Sequence, residues 1–252
     1  MIKRIESLQN PKVKAWKKLH TKKERDKTGL FLIEGNHLIQ EALKNKAIIQ
    51  ELIIRDDQDF SQLDIGDAVV YEVTVEIMKL LSETETPQGI LAVCEMEKCT
   101  DIDYTSKTKL LLLDNVQDPG NVGTMIRTAD AAGVDAVVLG EGCVDLYNAK
   151  VIRSTQGSLF HIPVLKGNLE EWIDRIQNNG IQVYGTALEG AKEYTTISKQ
   201  ESFALIVGNE GNGVDRKLLM RTNENLYIPI YGKAESLNVS IAAAVLLYHL
   251  RA

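Results

Sequence analysis

Cysteine is scarce: three residues in 252, at positions 94, 99 and 143, odd in number and without metal-ligand spacing. Neither a disulfide framework nor a structural zinc site fits that pattern, and free buried thiols are expected. Glycine and proline, 18 and 5 residues, fall far short of a low-complexity or collagen-like chain. No apolar run approaches the roughly 20 residues that span a bilayer. The first residues, MIKRIESLQNPKVKAWKK, lack the apolar core of a signal peptide, so a cytoplasmic protein is expected. Neither G-x-G-x-x-G nor a P-loop GK[ST] occurs, which argues against a dinucleotide oxidoreductase or a P-loop enzyme. His20, His37, His161 and His249 are scattered, and no metal is implied.

What is present is ordinary folded material, 44% hydrophobic and 25% charged, enough for one large domain or two small ones. The net charge of −6 hides an asymmetry. Residues 1–30 carry ten Lys/Arg against three acids, a net of +7, so the remainder carries −13. A basic N-terminal arm on an acidic body suits a polyanion partner, because local charge governs attraction to phosphates. A merely solvated, lysine-rich helix is the plainer alternative.

The pattern of apolar residues predicts an α/β unit first. It has strands at 30–33, 48–54, 68–73 and 89–94, with one helix carrying Leu38, Ile39, Ala42 and Leu43 on one face and another near 75–81. The charged, Thr/Ser-rich stretch EMEKCTDIDYTSKT reads as a linker. Three regions are expected: a first α/β domain over 1–96, the linker over 97–108, and a second α/β domain over 109–252. The second domain alternates regularly. Strands are expected at 110–113, 136–139, 162–165, 181–186, 203–207 and 226–230, and helices from 121, at 149–155, 169–178 and 214–220, and from 236 to 250. Unbroken apolar strands such as LLLL and ALIV fit a mainly parallel sheet covered on both faces.

Three segments of that domain carry candidate chemistry. In DNVQDPGNVGTMIRTADAAGV, Asn121 is a candidate N-cap, and the stripe Val122, Met125, Ile126, Ala129 turns Arg127 away from the core. In FALIVGNEGNGVDRKLL, Gly208, Gly211 and Gly213 permit close backbone approach. Asn209 and Glu210 stand at the carboxyl end of a strand, where open α/β sheets bind ligands. In LYIPIYGKAESLNVSIAAAVLLYHL, Ser236 is a candidate N-cap of an uncharged helix expected to be buried nearly all round. Each segment alone has a bland reading as a surface arginine, a glycine turn or a self-satisfied helix end.

Together, NVGTMIR, VGNEGNG and IPIYGKAESLNVS, in this order, resemble the SpoU (TrmH) family of RNA 2′-O-ribose methyltransferases over about residues 109–251. FLIEGNHLIQEAL and TPQGILAV resemble that family's substrate-binding domain, a small α/β module like RNA-binding ribosomal proteins. The resemblance implies a SPOUT-like, trefoil-knotted catalytic domain with a mainly parallel sheet, S-adenosylmethionine as cofactor, and a homodimer whose active site is completed across the interface. It implies cofactor contacts at Thr186 and at the backbone of Gly208, Ile228 and Leu237. Arg127, Asn121, Glu210, Ser236 and Asn238 would surround the catalytic centre, with Asn121 and Glu210 orienting Arg127. The family often assigns the arginine as base. A guanidinium with a pKa above about 12 is a poor base at neutral pH, so a phosphate clamp that stabilises the developing alkoxide is the alternative role. Large-subunit ribosomal RNA is the expected substrate. Transfer RNA, or a non-catalytic RNA-binding protein with a decayed site, are the alternatives; a decayed site predicts losses at Arg127, Gly208 or Asn238, and all three are present.

Overall fold

Short apolar strands alternate with amphipathic helices from the N-terminus onward in the computed structural model, which describes residues 2–58, 60, 62–97 and 99–252. The first elements are β1 (Ile2–Ile5), α1 (Pro11–Lys18), α2 (Lys22–Thr28), β2 (Leu30–Glu34), α3 (Asn36–Lys44), β3 (Ile49–Arg55), β4 (Val69–Val73), α4 (Val75–Leu81) and β5 (Ile90–Glu95). Their sheet has the order β1-β4-β3-β5-β2. The pairs β1–β4 and β4–β3 are parallel, whereas β5 runs antiparallel to both neighbours.

The basic N-terminal segment is not a loose arm. Asn10 caps α1 by accepting from the Lys12 N–H at 2.8 Å, Pro11 occupies the first helical turn, and Val13 and Trp16 are fully buried. Thr21 caps α2, and Gly29 closes it in the left-handed region at φ 69°. Lys12 pairs with Glu51, Lys17 donates to the Leu80 carbonyl at 2.7 Å, and Arg4 pairs with Glu6 and Glu72. Buried Arg25 donates to Asp145 at 2.6 Å and to the carbonyls of Leu19 and His20.

That last pair marks a departure from the expected division. The compact units are Met1–Lys98 with Asp145–Phe160, and Cys99–Val144 with His161–Ala252. Segment 145–160, expected within the second domain, therefore belongs to the first unit. Its helix α6 (Ala149–Thr155) lies against β2, and Tyr147 packs on Phe31 with ring centroids 4.5 Å apart. Nor does the stretch after Cys99 behave as a free linker: Cys99, Ile102 and Tyr104 pack against the core of the second unit, and Asp101 pairs with Arg175. Lys98 lies outside the described residues.

The second unit holds β6 (Lys109–Leu113), α5 (Pro119–Ala131), β7 (Ala136–Leu139), β8 (Val164–Lys166), α7 (Leu169–Asn178), β9 (Val183–Thr186), β10 (Lys192–Glu193), β11 (Phe203–Val207), α8 (Arg216–Leu219), β12 (Glu224–Tyr227) and α9 (Val239–Leu250). The sheet order is β10-β12-β9-β11-β6-β7-β8, and every pair is parallel. Burial on both faces is what the apolar runs demanded: Leu110 to Leu113 and Phe203 to Val207 are at most 1% exposed.

Several boundaries move, each for a local reason. β12 ends at Tyr227 rather than 230, because Pro229 has no N–H to give a ladder. α5 starts at Pro119 with Asp118 as its cap, so Asn121 is not the N-cap. α9 starts at Val239 with Asn238 as its cap, so Ser236 is not the N-cap either. Helix α9 is also not buried all round in the single chain, since Ile241 and Tyr248 are each 52% exposed. Of the three free thiols only Cys94 is buried, with its pKa pushed up by burial; Cys99 and Cys143 are half-buried.

Candidate active site

The carboxyl ends of β6, β9, β11 and β12 deliver four connecting segments to one end of the parallel sheet, where open α/β sheets place ligands. Two of them, 114–118 after β6 and 208–215 after β11, are tied together at both ends. The Asp114 N–H donates to the Val207 carbonyl at 2.9 Å, and the half-buried Asp114 carboxylate accepts from the Asp215 N–H at 2.7 Å. Burial raises the pKa of Asp114, an effect partly offset by that hydrogen bond. Asn209 donates its amide to the Asn115 carbonyl at 2.9 Å, while its oxygen accepts from the N–H groups of Gly211 and Asn212.

Glu210 makes the third tie. Its carboxylate accepts from the Asp118 N–H at 3.1 Å, the Gln117 N–H at 3.3 Å and the Asn121 amide at 3.0 Å. Partial burial alone would raise this carboxyl. The bonds from the Asn121 side chain and from the N–H groups of Glu210 itself, Asp118 and Gln117 outweigh it, and the pKa lies below the usual carboxylate range. The other end of the Asn121 amide accepts from the Asn238 amide at 3.0 Å, and the Asn238 oxygen accepts from the N–H and hydroxyl of Ser240. Asn121, Glu210 and Asn238 thus form one connected network across three segments.

Behind that network lies a pocket of about 640 Å³, within the usual range for small-molecule sites. All four expected cofactor positions line it: Thr186, Gly208, Ile228 and Leu237. Gly208 leaves no room for a side chain, since a Cβ there would stand 2.1 Å from the Gly213 carbon and the Val214 nitrogen. The chain doubles back at this point through paired backbone bonds between Asn209 and Gly213, both 2.9 Å. A backbone-walled slot flanked by Ile228, Leu237 and Leu246 offers N–H and C=O partners inside apolar surroundings, which suits a flat heteroaromatic group carrying a polar tail. Thr186 spends its hydroxyl on the Ile206 carbonyl at 3.1 Å.

Ser236 also lines the pocket, exposed and with no side-chain bond among the described residues. Arg127 is exposed on α5 and has no hydrogen-bond or ion-pair partner among the described residues. The expectation that Asn121 and Glu210 orient it is not met in the single chain: both act at the first turn of α5 and neither bonds the guanidinium. Sequence reasoning missed Asp118, although an Asp-Pro pair is a helix-start signal, and missed Asp114, which had no signal beyond its place at a strand end. Among the described residues no cluster of metal-ligating side chains occurs.

A family model described as the SpoU rRNA Methylase family matches residues 108–248, and one described as an MRM3-like substrate binding domain matches residues 10–92. The chain is similar to the 23S rRNA (guanosine(2553)-2′-O)-methyltransferase RlmP of Bacillus subtilis (strain 168), 55% identical over 251 residues, which is 99% of this chain and 100% of that protein. Among solved structures it is similar to the AdoMet-bound rRNA methyltransferase from Sinorhizobium meliloti, with a TM-score of 0.90 and 33% identity, covering 99% of this chain and 97% of that one. It is also similar to the SpoU methyltransferase AviRb from Streptomyces viridochromogenes in complex with AdoMet, with a TM-score of 0.87 and 26% identity, covering 96% and 97% of the two chains.

The depressed pKa of Glu210 has a stability signature. Bonds to its carboxylate are fully present above the unfolded value of about 4.3 and are lost as the pH falls through the lower folded value. Glu210→Gln is expected to melt below wild type at neutral pH, with the gap closing as the pH drops under about 4.3. Thermal unfolding followed into the acid range checks this, and a gap that stays constant with pH contradicts it.

Proposed function

The chain belongs to the SpoU rRNA methylase family of S-adenosylmethionine-dependent ribose 2′-O-methyltransferases, and we propose that its substrate is large-subunit ribosomal RNA at the nucleotide corresponding to guanosine 2553 of the Bacillus subtilis relative's name. The observation that carries this reading is the 55% identity running through both the substrate-binding and the catalytic regions, so the part that chooses the RNA is shared as well as the part that methylates it. A cytoplasmic location follows from that substrate; among the described residues no helix is long and apolar enough to cross a membrane.

The pocket fits the cofactor: Gly208, Ile228 and Leu237 would hold the adenosine by backbone and apolar contact, with Thr186 nearby. When bound, S-adenosylmethionine supplies a methyl group on a positively charged sulfur, and the electron pair of the broken carbon–sulfur bond returns to sulfur. The chain's own task is to align a ribose 2′-hydroxyl with that methyl and to accommodate one departing proton. Alignment of this kind lowers a barrier by up to about 7–11 kcal/mol. Asn238 and Ser236, at the mouth of the pocket, shape the place where ribose and cofactor meet. Arg127 is exposed on α5, outside the pocket lining, and has no partner among the described residues. A guanidinium is a poor base, so the role given to it is to clamp a phosphate and stabilise the developing alkoxide, with the proton passing to water or phosphate. Glu210 acts through Asn121 and the start of α5 as a positioning residue.

The exposed apolar side chains Ile241 and Tyr248 on α9 support a homodimer. They stand seven residues apart, on one face of the helix, and each is 52% exposed, a surface that a second copy would cover. Sedimentation is expected to give a dimer at micromolar concentration and a monomer for Ile241→Glu; a monomeric wild type would remove this part of the reading.

For the catalytic assignment, Arg127→Ala is expected to abolish transfer of labelled methyl to unmodified 23S rRNA while calorimetric affinity for S-adenosylmethionine stays near wild type. Equal loss of both would show that Arg127 serves the cofactor instead. Mapping the alkali-resistant linkage locates the product, and its absence from the RNA overturns the ribose reading.

The basic segment yields a further expectation. Lys14, Lys18, Lys22 and Lys23 are exposed and have no ion-pair partner among the described residues, so they are the cations of α1 and α2 free to meet phosphates. Replacing all four with Gln is expected to flatten the slope of log affinity against log salt by about 0.7 for each phosphate of single-stranded RNA that is no longer neutralised. An unchanged slope would return the segment to a merely solvated surface.

A further inference from the structure

The loop between β12 and α9 lines the pocket twice, with Ile228 and Ile230 on the way out and Ser236, Leu237 and Asn238 on the way back. Between those two approaches the chain stands clear of the protein. Tyr231 is 93% exposed, the most exposed of the large hydrophobic side chains described, and has no hydrogen bond and no ring partner among the described residues. A Cβ on the next residue, Gly232, would meet nothing within 4 Å. Lys233 follows, exposed and without an ion-pair partner among the described residues. An aromatic ring contributes to stability by burial, so Tyr231 adds little to the fold of the single chain and its ring faces are free to be covered.

We propose that Tyr231 is a substrate-positioning residue whose ring stacks on an unstacked nucleobase at or beside the methylated nucleotide, with Lys233 meeting an adjacent phosphate. The proposal rests on the RNA-methyltransferase reading and adds to it the element that holds the nucleotide at the pocket mouth. Sequence-specific RNA recognition mostly targets single-stranded loops and bulges, whose splayed bases proteins hold by aromatic stacking, with basic side chains on the backbone. Tyrosine at the end of one pocket wall, two residues from a free lysine, supplies both parts. The alternative cover for Tyr231 is a second copy of the chain. The exposed apolar side chains suited to that role, Ile241 and Tyr248, lie on α9, whereas 231–236 reads YGKAES, and lysine is depleted from the cores of protein interfaces.

The test uses the full-length protein, labelled S-adenosylmethionine and unmodified 23S rRNA transcribed in vitro. Tyr231→Ala is expected to lower kcat/KM for the RNA by about 5- to 150-fold, the range that the loss of one base–aromatic stack allows. Tyr231→Phe and Tyr231→Trp keep a stacking face and are expected to stay within about threefold of wild type, by the same logic. Lys233→Gln should reduce the salt dependence of the RNA's KM. Cofactor affinity by calorimetry and the sedimentation coefficient should not change in any of them. An unaffected Tyr231→Ala overturns the proposal. So does a loss accompanied by dissociation of a dimer, which would make Tyr231 a contact between copies, or by an equal loss of cofactor affinity, which would make it part of the pocket wall. A wild-type protein that methylates no RNA defeats the underlying functional reading, and this proposal falls with it.

Discussion

The site depends on the orientation of one amide. A carboxylate only accepts hydrogen bonds, so the Asn121 nitrogen must face Glu210, which turns the Asn121 oxygen toward Asn238. The Asn238 oxygen is already taken by the N–H and hydroxyl of Ser240, so its nitrogen is the end left to reply to Asn121. Donor and acceptor therefore alternate without choice from Glu210 through Asn121 and Asn238 to the first turn of α9. Because Glu210 and Asn238 are exposed, water competes for each bond, and the main worth of the arrangement is geometric. It fixes three loops from three different strand ends in one register, which precise alignment of nucleophile and methyl requires.

That register in turn needs the close turn at Gly208. A side chain there would displace Gly213 and Val214, and with them the Asn209–Gly213 bonds that hold Glu210 at the tip of the loop. Asp114 secures the far end of the same loop through the Asp215 N–H, although this sets two carboxylates near each other and adds to the upward pressure of burial on Asp114. The pocket wall from Gly208 to Gly213 is consequently held in place by side-chain hydrogen bonds of Asp114, Asn209 and Glu210. Polar residues therefore divide: Asp114, Asn209 and Glu210 build the site, Ser236 lines the pocket without a partner among the described residues, and Arg127 and Tyr231, outside that lining, are likewise exposed and unpartnered among the described residues.

Periodicity is enough to locate α4, α6 and α7 residue for residue, because each begins at a cap and carries its apolar stripe from the first turn. It fails at the starts of α5 and α9, and the failures share a cause. In α5 the apolar stripe begins at Val122, three residues after the helix does, so the first turn, Pro119–Gly120–Asn121, reads as a loop and Asn121 as its cap. In α9 the absence of charge suggests burial on every side, yet Ile241 and Tyr248 face outward, since an uncharged helix can equally be waiting for a partner. The site residues are legible as a set because three glycine- and asparagine-rich segments occur in one order. Which of them bond one another is not, because the Glu210–Asn121 contact spans 89 residues of sequence. Membership of α6 in the first unit is hidden for the same reason: the Arg25–Asp145 pair joins residues 120 apart.

Charge shows how structure revises a count. Of the ten basic residues among the first thirty, Arg4, Lys12, Lys17, Arg25 and Lys27 are spent on internal carboxylates and carbonyls. The partners they neutralise, Glu51, Glu72 and Asp145 among them, belong to the acidic remainder, so part of the −13 is cancelled inside the fold and never reaches solvent as a free charge. What RNA would meet is then the surplus, not the sum. With a screening length of about 8 Å at physiological salt, a phosphate responds to the charges within one or two side-chain lengths of it. A chain of net charge −6 can therefore hold a polyanion wherever unpaired lysines lie close together, as Lys14 and Lys18 do one helical turn apart on α1. Like charges at that spacing weaken a helix slightly, and Val13 and Trp16, buried on its other face, hold α1 in place against that cost.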